Sequence, residues 1–206
     1  MDIHSLFPIP VGITDVSNVL NDEHIRYAHE CSKFYTVNDG NTTSVNSYVL
    51  DSPNMYDLKQ ALLQSANDYI SKVIQPLRDG CIDCYITQSW FNYTNTGQYH
   101  HSHLHPNSFV SGVLYLNADM EKDTITFQNK YNNYDFCFQI DGYPNEFNSR
   151  EVFFSNKVGT VFIFPSSLHH SVNHTTSEQT RISLAFNTFL RGYIGDDRKL
   201  TGLHLK

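Results

Sequence analysis

Between residues 84 and 190 the chain runs in short stretches rich in apolar, β-branched and aromatic residues, separated by polar turns. Such runs, with alternation between faces, are the mark of strands in a layered β fold. The pattern predicts strands at about 84–94, 109–117, 124–128, 134–140, 151–155, 160–164, 169–174 and 180–189. The first third has a longer period. Asn21-Asp22-Glu23 offers a helix cap, and Ile25, Ala28 and His29 follow at helical spacing to about Phe34. Residues 36–47 are polar and rich in Asn, Thr and Ser, which predicts a loop, and a short strand is expected at Ser47–Leu50. Ser52-Pro53 opens a second helix, with Ser as cap and Pro at the first helical position. Met55, Leu58, Leu62, Ala66, Tyr69, Ile70 and Val73 form its apolar stripe, and Pro76 and Gly80 end it. Two helices before eight short strands predict a mainly β domain. Its architecture is an antiparallel double sheet or barrel with the helices packed on one outer face.

Composition narrows the class. A chain of 206 residues is the length of one domain. Hydrophobic residues make 40% and charged residues only 17%, a balance that folds rather than stays disordered. Lys plus Arg number 14 against 21 Asp plus Glu, a formal charge of −7. That acidity argues against duplex DNA, which is held mainly through phosphate neutralisation. No apolar run approaches the ~18 residues of a membrane span. Met1-Asp2-Ile3-His4-Ser5 lacks the basic start and apolar stretch of a signal peptide, so the expected location is the cytoplasm. Cys31, Cys81, Cys84 and Cys137 are too few for a disulfide scaffold. Cys81 and Cys84 form a CxxC, but no second CxxC and no thioredoxin-like context accompany it, so they read as ordinary thiols.

The histidines carry the chemistry. Four of the 11 lie close together, His100, His101, His103 and His105, and His169, His170 and His174 form a second group. In an extended segment the side chains at i and i+2 point to one side, so His103 and His105 can present two imidazoles to one point. A third, from His169 or His170, would complete a facial set of three. Imidazole is a strong ligand for first-row transition metals, and three facial ligands leave open positions for substrate or oxygen. Arg181 and Ser183 follow on one face of the last long strand, with Ala185 and Asn187, while Ile182, Leu184 and Phe186 share the other face. An arginine among core strands is partly buried and needs an anionic partner. Its planar fork fits a carboxylate bidentately. Together these residues suit a diacid that chelates a metal at one end and meets Arg181 and Ser183 at the other.

At this point the sequence resembles the Fe(II)- and 2-oxoglutarate-dependent dioxygenases, in particular an oxygenase family of bacteria and bacteriophages. The similar segments are Leu6-Phe7-Pro8, Trp90-Phe91-Asn92, Gly97, His103-Leu104-His105-Pro106-Asn107-Ser108 and Ser111 to Leu116. They continue with Phe164-Pro165-Ser166, His170-Ser171-Val172, and Arg181-Ile182-Ser183 through Phe186-Asn187. The resemblance covers 84–190 well and the N-terminal helices loosely. It implies a double-stranded β-helix, a cupin-like jelly roll, within a single domain over 1–206: a helical part to about 80, a core over 84–190 and a tail over 191–206. It also implies an Fe(II) enzyme that converts 2-oxoglutarate and O2 to succinate and CO2 while hydroxylating a substrate C–H. In the superfamily an Asn eleven residues and a Gly six residues before the first ligand recur, and Asn92 and Gly97 stand at those offsets from His103. That register selects His103 over His100 or His101, and the Ser-Val that follows selects His170 over His169. The implied ligand set is His103, His105 and His170. The implied cosubstrate residues are Arg181, Ser183, Asn92 and Tyr115.

One departure stands out. The superfamily triad is His-x-Asp/Glu…His, and the carboxylate position here holds His105. Either His105 binds as a neutral third ligand, which is the favoured reading, or it stays out and leaves two. Two rival functions share the histidines: a three-His zinc or cupin-like enzyme that makes hydroxide at neutral pH, and a jelly roll that only binds or supports. The first explains the histidines but not Arg181-x-Ser183 at its offset or Asn92, and the second predicts no metal and no succinate production. The primary substrate is left among a peptide, a metabolite and a nucleotide, a homodimer is left open, and a phage-borne copy would act in the host cytoplasm.

Overall fold

The computed structural model describes residues 1–76, 82–130 and 139–205. Helix α1 spans Asp22–Cys31, and its start is closed by a reciprocal box. The Asn21 side chain accepts from the Glu23 and His24 amides, and the His24 ring accepts from the Asn21 amide. The helix ends at Cys31, short of the expected Phe34, because Lys33 and Phe34 are exposed and bury no apolar surface that would hold another turn. Helix α2 spans Tyr56–Val73, three residues later than expected: Pro53 opens a 3-10 turn over Pro53–Met55 that leads into it, and Ser52 stands before that turn without capping it, its Oγ donating to Asn54 Oδ1 at 2.6 Å. Met55, Leu58, Leu62, Ala66, Tyr69 and Ile70 are buried, so the stripe faces the core, while Val73 frays into solvent. The expected stop at Gly80, Cys81 of the CxxC and Cys137 all lie outside the described residues.

Two expectations for the segment between the helices are corrected. Residues 36–47 are not wholly loop: β2 (Tyr35–Val37) and β3 (Thr42–Ser44) form a hairpin, and β3 pairs with β4 (Ile82–Thr94). Thr and Val suit a pleated surface, and Gly40, at φ +89, supplies the turn. Ser47–Leu50 is not a strand. Tyr48 makes one isolated bridge to Ser89, and Val49–Asp51 is a 3-10 turn. The buried Val49 and Leu50 must turn at once into the start of α2, and the Leu50 amide donates to Ser89 Oγ (2.9 Å) instead of to a ladder.

The strands of the core fall close to their expected places: β4 Ile82–Thr94, β6 Val110–Asn117, β7 Thr124–Gln128, β8 Glu151–Ser155, β9 Thr160–Pro165, β10 His169–Val172 and β11 Arg181–Ile194. The expected strand at 134–140 lies outside the described residues except its last two positions, which are not in a strand. β1 (Gly12–Asp15), β5 (His100–His103) and β12 (Leu203–Leu205) add to the set. The tail over 191–205 is folded, since β11 continues to Ile194 and β12 pairs back on it.

The strands form the two facing sheets of a jelly roll. The larger runs β1-β9-β6-β11-β4-β3-β2, with β12 beside β11, and the smaller runs β5-β10-β7-β8. One core lies between α2 and the outer face of the large sheet, where Leu58, Leu62 and Ile70 meet Phe91, Leu114, Ile163, Leu184 and Phe186. A second, smaller core of Val113, Tyr115, Ile125, Phe127, Phe162, Phe164 and Leu168 lies between the sheets. The alternation of β11 is realised in full. Ile182, Leu184 and Phe186 enter the helix-side core, and Arg181, Ser183, Ala185 and Asn187 are buried on the inner face.

Candidate metal centre and carboxylate pocket

Three imidazoles converge at the open end of the inner space. His103 ends β5 and stands opposite His170 of β10 in the antiparallel register. His105 lies two residues beyond β5, held by its amide on the Ser166 carbonyl (2.9 Å). The ring centroids are 4.3 Å apart for His103 and His170, 5.1 Å for His103 and His105, and 5.0 Å for His105 and His170. Their candidate ligand atoms all lie within 4.8 Å of one another. Nε2 of His105 is 3.2 Å from Nε2 of His170. With metal–nitrogen bonds of about 2.1 Å, two ligands at a right angle stand about 3.0 Å apart, so this spacing suits a shared ion.

The other ring nitrogens of His103 and His170 are committed. His103 Nδ1 lies 2.8 Å from the His101 carbonyl, and His170 Nδ1 lies 3.0 Å from the Leu168 carbonyl. A carbonyl only accepts, so both Nδ1 atoms carry their protons and both Nε2 lone pairs face inward. Burial, then the neighbouring imidazoles, holds His170 well below the ordinary imidazole range and presses His105 to about 3. Burial also lowers His103. The rings are therefore neutral near pH 7, the state in which imidazole binds metal.

A second set, His100, His101 and His103, also brings its ligand atoms within 4.8 Å. It shares His103, whose Nδ1 is committed, and its His100 Nε2 lies 3.1 Å from the amide nitrogen of Asn38, which occupies that lone pair. The set with His105 and His170 is thus better prepared. His169 does not join it. Its neighbour His170 points inward, so His169 faces the outside of the small sheet, paired in register with Gln128.

Away from the imidazoles, the strand register lines up polar side chains across the large sheet. Ser183 of β11 is level with Asn92 of β4 on one side and Tyr115 of β6 on the other. Asn92 Nδ2 reaches Ser183 Oγ at 3.5 Å. Nearer the metal end, Ala185 is level with Trp90, whose ring centroid is 5.7 Å from that of His105. Arg181 lies one row further in and is 3% exposed. Its Nη1 donates to Asp123 Oδ1 at 2.9 Å, and the Asp123 carboxylate also accepts from the Asp119 amide at 2.9 Å. Among the described residues, Arg181 Nη2, the Tyr115 hydroxyl and Asn92 Oδ1 are buried without a hydrogen-bond partner. Buried polar atoms are normally satisfied, so such orphans mark a place for a ligand.

Sequence reasoning missed Asp123. Arg181 does need an anionic partner, but the fold supplies one of its own. Asp123 sits in a polar turn before β7, where nothing in the local pattern distinguishes it from solvated neighbours. Also missed was the buried chain of side chains behind the site, in which Ser111 Oγ donates to Asn187 Oδ1 (2.8 Å) and contacts Ser166 Oγ (2.7 Å).

Residues 88–187, which carry every side chain of this arrangement, match a family model described as "Putative 2OG-Fe(II) oxygenase". That stretch is 100 of the 206 residues, and over it the chain is similar to a family whose description implies Fe(II) as cofactor and 2-oxoglutarate as cosubstrate. No curated protein sequence matches it. The fold is similar to an oxidoreductase of the 2OG-Fe(II) oxygenase family from Burkholderia pseudomallei, with TM-score 0.58 and 11% identity over 86% of this chain and 83% of that one. It is also similar to a Pseudomonas putida prolyl-4-hydroxylase, with TM-score 0.53 and 17% identity over 87% and 92%. HygX from Streptomyces hygroscopicus, solved with nickel, 2-oxoglutarate and hygromycin B, matches at TM-score 0.56 and 13% identity over 87% and 82%. The family match over the site-bearing strands favours the oxygenase over the zinc hydrolase and the non-catalytic jelly roll. No described helix is long and apolar enough to cross a membrane.

Proposed function

We propose that residues 1–206 act as one oxygenase domain that hydroxylates a C–H bond of a substrate with peptidyl, nucleotide or small-metabolite character. The observation that carries this reading is the pairing of two prepared features in one space: three neutral imidazoles at its mouth and a buried arginine with a free N–H further in.

His103, His105 and His170 hold Fe(II) through their Nε2 atoms. When bound, the iron supplies the activation of O2 coupled to the decarboxylation of 2-oxoglutarate. The carbonyls of His101 and Leu168 fix the ring orientations and keep the metal-facing nitrogens free of protons. His105 replaces the usual carboxylate, so the ligand set brings no negative charge. Arg181 takes the distal carboxylate of 2-oxoglutarate through Nη2, and the Tyr115 hydroxyl donates to the same group. Ser183 and Asn92 line the wall between, fixing the cosubstrate's direction. Trp90, level with Ala185 and close to His105, shields the reacting end from bulk water. The protein's share is to orient the cosubstrate and confine the oxidant.

Anaerobic titration of the protein with Fe(II) and then 2-oxoglutarate tests this. A weak visible charge-transfer band is expected on adding the diacid. It disappears in His103→Ala and His170→Ala. Arg181→Lys, which keeps a cation beside Asp123 but loses the second nitrogen of the guanidinium fork, weakens the diacid about tenfold or more. Wild-type protein that binds iron and shows no band and no succinate formation overturns the reading.

A further inference from the structure

Another side chain beside the Arg181–Asp123 pair has no task in the function proposed above. Asn156 follows β8 and is wholly buried, its amide N–H bonded to the Asp123 carbonyl at 3.0 Å. Among the described residues, both its side-chain atoms, Nδ2 and Oδ1, lack a hydrogen-bond partner. The side chain lies beside the Tyr115 hydroxyl, close enough to counter some of the upward push that burial gives that phenol. It nevertheless makes no bond to it of hydrogen-bonding geometry. Arg181 and Asp123 act on the same hydroxyl. Three elements thus bring three unsatisfied donors into one buried volume: Nη2 from β11, a hydroxyl from β6 and an amide from the turn after β8.

A buried donor left unmade is costly, and an asparagine side chain with no partner at all is rarely kept for packing. The charges say what the volume takes. Arg181 is already matched by Asp123, so this cluster of side chains is neutral overall. An incoming carboxylate would share one guanidinium with Asp123, and neutral donors must hold it against that like charge. We propose that Asn156 is a cosubstrate-binding residue: its Nδ2 closes the pocket around the distal carboxylate of 2-oxoglutarate together with Arg181 Nη2 and the Tyr115 hydroxyl, while Asp123 positions Arg181. The inference rests on the cosubstrate reading above and adds the residue that makes the pocket selective for a second carboxylate. Asn156 Oδ1 is left to accept from a water carried in with the ligand.

The test compares two 2-oxo acids on the Fe(II)-loaded protein under anaerobic conditions: 2-oxoglutarate, and 2-oxopentanoate, which lacks the distal carboxylate. Asn156→Asp places a like charge in the pocket with little change of shape. It is expected to weaken 2-oxoglutarate about 10- to 100-fold, with the affinities for Fe(II) and 2-oxopentanoate unchanged. Because a new charge near the pocket would repel the diacid whatever Asn156 itself does, the neutral Asn156→Ser decides, with the same selective loss expected from the missing donor. The inference is overturned if 2-oxoglutarate binds the folded variant as it binds wild type, or if both oxo acids weaken together, since a merely structural asparagine would not distinguish them. If wild-type protein binds Fe(II) but prefers neither acid, the cosubstrate reading itself has failed, and this result is seen before any variant is made.

Discussion

Arg181 and Asp123 form an ion pair with Nη1 2.9 Å from Oδ1, their side chains 2% and 1% exposed. Such a pair adds little net stability, because desolvation offsets the attraction, but breaking it from one side leaves a bare buried charge. Asp123→Ala is therefore expected to cost about 3–5 kcal/mol, read as a lowered midpoint in urea unfolding. Asp123→Asn keeps an acceptor for Nη1 and costs less. Equal stability of Asp123→Ala and wild type would show that the pair is solvated in solution.

His105 occupies the place of the superfamily's carboxylate, and its Nε2 faces that of His170 across 3.2 Å. If the position faces the metal, His105→Asp brings a negative ligand into a neutral set. The variant is expected to bind Fe(II) at least as tightly as wild type, while His105→Ala binds it about tenfold more weakly or worse. Calorimetric titration under anaerobic conditions measures both. Identical affinities for all three proteins would place His105 outside the ligand set.

Much of this arrangement is legible in the sequence. The alternation of β11 separates Ile182, Leu184 and Phe186 from Arg181 and Ser183, and burial on both faces follows because helices cover one side and the small sheet the other. Convergence of His103, His105 and His170 follows from an i, i+2 pair placed opposite a later strand. Other features could not be read. β5 is nearly all histidine, which carries no period, and β2 and β3 are polar edge strands made by pairing rather than by burial. Asp123 and Asn156 are polar residues of turns, a class that is exposed far more often than not. Only the packing of β6, β8 and β11 around them turns solvated residues into site residues.

The folded protein keeps its clustered imidazoles neutral. Burial, then His103, lowers His105 from its ordinary value of 6.5 to about 3, and burial lowers His103 and His170 as well. The unfolded chain protonates these groups near pH 6.5, whereas the folded one resists until far lower. The unfolded state therefore binds more protons in that window, and the stability of the metal-free protein is full above about pH 6.5 and falls as pH drops from there toward about 3. A melting temperature that declines steadily from pH 7 to 5 is expected. Metal affinity over the same folded protein is nearly flat between about pH 6 and 8, since few protons remain to be displaced. A steep rise in affinity across that range would show that the imidazoles are protonated at neutral pH.

Gly112 of β6 is fixed by contact rather than by backbone angle. A Cβ there would collide with the Phe186 ring, in the fully buried core under the helices. The ring cannot withdraw without displacing Leu114 and Ile163 neighbours in the same cluster. Gly112→Ala is expected to destabilise by about 1–3 kcal/mol, seen in urea unfolding, with Fe(II) affinity retained because the histidines lie on other strands. A neutral substitution would mean that this part of the core has slack.

Tyr115 separates the demands of folding from those of binding. Its ring packs edge-on to Phe162 at 6.2 Å between centroids, while its hydroxyl is buried without a partner and burial pushes its pKa up. Tyr115→Phe keeps the packing and removes an unsatisfied polar group, so the ligand-free protein is expected to gain up to about 1 kcal/mol. The same change removes one donor to the distal carboxylate and weakens 2-oxoglutarate about three- to tenfold. Stability and cosubstrate affinity thus move in opposite directions, which a residue kept only for the core would not produce. Unfolding midpoints measured with and without the diacid read both effects on one sample, and a variant that loses stability and keeps its affinity would return Tyr115 to the core.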